Sequence, residues 1–82
     1  MTIKWSDYKW TFLGELLHKD LQVWCNDNDV TMGELAEMLG LSSTYFYHLP
    51  DEDYMPTVRN FMTIVNFCDL SPTDYFGIER LS

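Results

Sequence analysis

Apolar residues recur along the chain at helical spacing. Leu13, Leu16, Leu17, Leu21 and Trp24 fall at three- and four-residue steps, which lays one apolar stripe along one helix face. The spacing predicts a first helix from Ser6 or Asp7 to Asn26, with Trp5 and Tyr8 extending the stripe upstream. Asn26-Asp27-Asn28-Asp29 ends it, because these side chains bond nearby backbone and favour turns. Thr31-Met32-Gly33-Glu34 reads as a capping box that opens a second helix burying Leu35, Ala36 and Leu39. Gly40 is its expected left-handed stop. Ser42 is predicted to cap a third helix, Ser43 to His48, with Phe46 and Leu49 facing inward and Pro50 ending it. Thr57 caps a fourth, Val58 to Cys68, whose stripe is Val58, Phe61, Met62, Ile64, Val65 and Cys68. Ser71-Pro72-Thr73-Asp74 opens a short fifth, with Tyr75, Phe76 and Ile78 closing the core. The expectation is an all-α fold of five short helices. It forms a single domain over residues 1–82, with 1–9 as an N-terminal extension and 77–82 as a tail.

Size and composition narrow the class. A chain of 82 residues holds one core, and 46% hydrophobic with 16% aromatic residues is too apolar for a disordered segment. No apolar run reaches the roughly 20 residues of a membrane span. The first residues lack the layout of a secretory signal, so the expected address is the cytoplasm. Thirteen Asp and Glu against five Lys and Arg give a formal charge of −8. A polyanion is repelled by that mean field, so DNA binding requires a local basic patch.

The helix-turn-helix layout comes with a family pattern. Residues 31 to 76 resemble the lambda-repressor-like (XRE, or Cro/repressor-type) helix-turn-helix domain. The resemblance rests on Thr31, Glu34-Leu35-Ala36, Leu39-Gly40-Leu41-Ser42, Pro56-Thr57, Ile64 and Ser71-Pro72-Thr73-Asp74-Tyr75-Phe76. It implies operator DNA bound by a homodimer, with the third helix in the major groove. Several positions depart from the family's DNA contacts. Met32 stands where a phosphate-binding glutamine is frequent, and Cys25 where an arginine is frequent. The predicted recognition helix offers Ser43, Thr44, Tyr45, Tyr47 and His48 in place of Arg, Lys, Gln or Asn. Pro50-Asp51-Glu52-Asp53 replaces a basic loop. Only Lys19 and Arg59 lie where phosphates would pass, against the 6–10 contacts a typical DNA binder makes.

Two function classes follow. In the first, a small regulatory protein of the phage-control type acts by protein–protein contact, as an antirepressor or DNA mimic. Met32, Tyr45, the edge of Phe46, Tyr47, His48 and Tyr54 form its aromatic and apolar contact surface, ringed by Asp51, Glu52 and Asp53. That surface suits a partner protein with a basic face. In the second, a transcriptional regulator reads DNA as a dimer with Ser43, Thr44, Tyr45 and His48. Tyr45 and Tyr47 are two apart and do not share a helix face, so the plain alternative is one packed inward and one at the surface. Trp10 is expected at an interface and Trp5 in the core. No catalytic motif, cofactor loop or ligand spacing is present; His18, His48, Cys25 and Cys68 are isolated from one another in sequence. Cys68 reads as a small core hydrophobe.

Overall fold

Tyr8–Phe12 and Phe76–Arg80 form strands, not helix. The computed structural model describes residues 7–51 and 53–81. Its elements run β1 (Tyr8–Phe12), α1 (Gly14–Asp27), α2 (Met32–Met38), a 3₁₀ turn (Tyr45–His48), α3 (Val58–Phe67), a second 3₁₀ turn (Pro72–Tyr75) and β2 (Phe76–Arg80). The five-helix, all-α expectation is therefore corrected to a mixed fold of three helices and a two-stranded antiparallel ribbon. The reason is a period-two pattern hidden inside longer helical readings. Tyr8, Trp10 and Phe12 alternate with Lys9 and Thr11, and Phe76 and Ile78 alternate with Gly77 and Glu79. Tyr8 pairs with Arg80, Trp10 with Ile78 and Phe12 with Phe76. Tyr8 thus belongs to a strand and not to a helical stripe; Trp5 lies outside the described residues.

Helices α2 and α3 follow their sequence signals closely, whereas α1 starts at Gly14 and not at Ser6 or Asp7. Thr31 Oγ1 accepts from the Glu34 N–H and the Glu34 carboxylate accepts from the Thr31 N–H, both at 3.1 Å, completing the capping box. Thr57 Oγ1 accepts from the Asn60 N–H at 3.2 Å. All three helices end alike. Asp29, Gly40 and Asp69 take left-handed backbone at φ 56°, 76° and 54°. The next residues, Val30, Leu41 and Leu70, donate back to the carbonyls of Cys25, Ala36 and Val65. This is the Schellman closure, and the same three residues pack against the core.

The core gathers Leu17, Leu21, Leu35, Ala36, Phe46, Leu49, Ile64, Val65 and Tyr75, with Cys25 and Cys68 also buried. Three stripe positions read from the sequence as buried lie outside it: Leu16, Val58 and Ile78 are exposed. The root of the ribbon is held by aromatic packing. The Phe61 ring meets Phe12, Phe76 and Tyr75 at centroid distances of 5.9, 5.2 and 6.3 Å.

Candidate functional site

The segment from Ser43 to Met55 holds nearly all the residues singled out by the sequence, but its backbone is not the one expected. The predicted third helix, Ser43 to His48, is a single 3₁₀ turn of four residues, Tyr45–His48. Ser42 does not cap it with its side chain; its hydroxyl lies 3.4 Å from that of Thr44, and its carbonyl accepts from the Tyr45 N–H. Ser43 and Thr44 form the exposed turn before it. Gly33 lets this turn sit close against α2, since a Cβ there would come within 3.3 Å of the Ser43 carbonyl. The predicted fifth helix is likewise one 3₁₀ turn, with Pro72 at its start, and Ser71 makes no side-chain cap.

The two tyrosines divide. Tyr45 is half-buried against the core, its ring edge-on to Phe46 at 5.7 Å and to Tyr54 at 6.1 Å. Asn60 donates to its hydroxyl at 3.4 Å. Tyr47 points outward and is 63% exposed. Tyr54 sits under His48, the two rings stacked at 6.1 Å, and the His48 imidazole lies 3.6 Å from the Asp51 carboxylate. Burial, and then the adjoining Tyr45 phenol, push the Tyr54 phenol up to about 12, so it is a neutral hydrogen-bonding group at neutral pH. Asp53 is exposed beside it, and Glu52 lies outside the described residues.

Met32 does not join this surface. It is half-buried, packs on the core and accepts from the Cys25 thiol at 3.6 Å. Phe46 is fully covered. The expected patch shrinks accordingly to Tyr47, His48, Asp51, Asp53 and the edge of Tyr54. One residue is gained that the sequence reading passed over: Met55, 56% exposed. It follows directly on Tyr54 in an extended loop, and only its adjacency to the acidic run would have flagged it.

The acidic loop is bordered by two open grooves. One, of about 710 Å³, runs between Phe12, Leu16 and Lys19 on one side and Leu49, Pro50 and Asp51 on the other. A smaller one, of about 330 Å³, lies between Lys9 and Trp10 of β1 and Asp53, Tyr54 and Met55. Lys19 therefore faces the Asp51 side of the loop, while Arg59 is exposed in the first turn of α3. Among the described residues, no three of His, Cys, Asp and Glu come together to hold a metal ion, and no helix is long and apolar enough to cross a membrane.

No protein-family model, curated protein or solved structure matches the chain.

Proposed function

We propose that the protein is a small regulatory module that works by protein–protein contact, through the face carrying Tyr47, His48, Asp51, Asp53, Tyr54 and Met55. The observation that carries this reading is the Tyr45–His48 segment. A DNA reader of the helix-turn-helix kind lays several helical turns in the major groove and reads bases with charged or amide side chains. Here there is one 3₁₀ turn. It presents a phenol and an imidazole, and an aspartate lies at 3.6 Å from that imidazole. The formal charge of −8 disfavours any polyanion, and two aspartates flank the face directly. Exposed Tyr and Met ringed by carboxylates suit a partner with a basic surface, where the aromatics supply area and the acids steer approach. Acidic side chains also imitate phosphate charge, which supports an antirepressor or DNA-mimic role in the cytoplasm, on a partner that itself binds DNA.

Two fluorescence-anisotropy titrations test this, one with a labelled mixed-sequence DNA duplex at low salt and one with a labelled Arg- and Lys-rich peptide. The expected result is a flat DNA curve. The peptide curve should saturate, weaken with salt and weaken at least tenfold in Tyr47→Ala. A rising, salt-sensitive DNA curve in the range of about 10⁻⁴–10⁻⁶ M typical of non-specific readers would overturn the reading. Peptide binding that ignores Tyr47 would remove this face from it.

A further inference from the structure

The hydrogen bonds at the two ends of the ribbon fix which of its backbone groups are already used. Leu81 donates to the Asp7 carbonyl at 2.6 Å, and Leu13 donates to the Tyr75 carbonyl at 2.8 Å. Both pairs fall on the register that sets Tyr8 opposite Arg80 and Phe12 opposite Phe76. In an antiparallel ladder, hydrogen-bonded and non-hydrogen-bonded pairs alternate. Lys9 with Glu79, and Thr11 with Gly77, therefore exchange the inward bonds. Phe76, Ile78 and Arg80 turn their N–H and C=O groups to the outer edge of β2. Among the described residues, no backbone hydrogen bond reaches that edge.

We propose that this edge pairs with the same edge of a second copy of the chain, antiparallel, across a two-fold axis at Ile78. The pairing would make a continuous four-stranded sheet. The edge is self-complementary in that register. Ile78 meets the second copy's Ile78, and Phe76 meets the second copy's Arg80. All three outward residues then become hydrogen-bonded pairs. A slip of two residues in either direction loses one of those pairs, and one of the two slips sets Glu79 against the second copy's Glu79. In the proposed register Glu79 faces Gly77, which has no side chain to obstruct it, and Arg80 faces Phe76. No like charges are opposed. The strand carries one acid and one base, so it is a neutral edge on a chain of charge −8.

Packing points the same way. Trp10 and Ile78 are a non-hydrogen-bonded cross-strand pair, the kind whose side chains approach most closely, yet they are 47% and 57% exposed. Lys9, Glu79 and Arg80 around them are exposed as well, in a molecule 48 Å long and 20–23 Å across. A two-stranded ribbon is marginal alone, and three or more strands with an apolar face give an independently stable sheet. The proposed dimer sets the two Ile78 side chains together between the two Trp10 rings, one apolar strip across four strands.

Sedimentation equilibrium of the whole chain from micromolar to millimolar concentration reads the result. The molar mass should rise from 9.7 kDa toward twice that value. Ile78→Pro removes the outward N–H while sparing the inward bonds of Gly77 and Glu79, so it should stay monomeric with an unchanged helical circular-dichroism spectrum. Should that variant fail to fold, cysteine variants decide. Ile78→Cys thiols, paired across the axis at a Cα separation of about 5.5 Å, should be joined by oxidised glutathione into one intermolecular disulfide, releasing two reduced glutathione molecules. Glu79→Cys, which faces Gly77, should cross-link at least tenfold more slowly. A wild-type chain that stays at 9.7 kDa throughout, as it would if the edge served an extended segment of another protein, overturns the proposal. Equal cross-linking of the two cysteine variants does so too.

Discussion

The Tyr75 hydroxyl donates to the Asp20 carboxylate at 2.8 Å, although the two residues stand 55 positions apart in the chain. This one bond ties the 3₁₀ turn before β2 to the middle of α1. Tyr75 is 2% exposed, and burial, reinforced by the bond to Asp20, pushes its phenol above the ordinary range. Burial likewise pushes the Cys68 thiol up to about 11. In both groups the fold holds the neutral form, so the folded pKa exceeds the unfolded one. The stability they confer is complete below the unfolded values, about 9 for the thiol and 10 for the phenol, and is lost as pH rises through the folded ones. Thermal melts should accordingly be insensitive to these groups near neutrality and fall steeply above pH 9 to 10. Tyr75→Phe should melt lower at pH 7, by about 1–2 kcal/mol for the lost charge-assisted bond, and show a shallower alkaline decline. An alkaline decline as steep in Tyr75→Phe as in the wild type would show that the phenol plays no part in it.

Gly14 is where α1 leaves the ribbon, and the Leu49 carbonyl lies in the space a Cβ would occupy. A backbone oxygen of a buried residue cannot swing aside as a flexible side chain would. Gly14→Ala should therefore cost about 3 kcal/mol, the upper end of the usual overpacking range, despite the higher helix propensity of alanine. In a domain of this size that lowers Tm by roughly 12 °C or more. Gly77→Ala is the control. Its Cβ would meet Thr11 at an ordinary 3.9 Å, and it should melt within about 2 °C of wild type.

The three helix ends give a prediction with two signs. Gly40 takes its left-handed φ of 76° without strain, whereas Asp29 and Asp69 adopt the same region with a side chain. Their carboxylates also lie at the negative end of a helix dipole. Gly40→Ala should cost about 1 kcal/mol, and Asp69→Gly should gain about the same in urea unfolding at pH 7. Asp69→Asn separates the two causes, since it removes the charge and keeps the Cβ. A destabilised Asp69→Gly would mean that the aspartate holds the turn by a bond worth more than the strain it carries.

These features differ in how far they could be read beforehand. The capping box at Thr31, the cap at Thr57 and the stop at Gly40 are local, involving residues three or four apart, and each formed as its spacing dictates. The ribbon is non-local. Tyr8–Phe12 gains strand character only from Phe76–Arg80 at the other end of the chain, and its aromatics fit a helical stripe equally well when read alone. The Tyr45–His48 turn fell between these cases. Its apolar positions matched a helix, yet four residues before Leu49-Pro50 leave room for only one turn. Of the candidate surface, Tyr47, His48 and the acidic loop were legible as exposed polar or aromatic positions. Met32 was not, because the first residue of α2 faces Cys25 for reasons set by the tertiary crossing of α1 and α2.

Phe61 joins the ribbon to the helices. Its ring contacts Phe12 and Phe76, one from each strand, as well as Tyr75, and it sits on α3 only 5% exposed. Away from Phe12 and Phe76, Lys9, Trp10 and Thr11 of β1 and Ile78, Glu79 and Arg80 of β2 are exposed. If this ring is the chief anchor, Phe61→Leu should loosen the ribbon before it loosens the helices. A cavity left by the smaller side chain costs about 1–3 kcal/mol in stability. Hydrogen exchange distinguishes local from global loss. The ladder amides of Lys9, Thr11, Gly77 and Glu79 should exchange at least tenfold faster in Phe61→Leu, with those of Leu35 and Ala36 in α2 accelerated far less. Uniform acceleration across ribbon and α2 would instead show that the two open as one unit, and that Phe61 stabilises the whole fold rather than the joint.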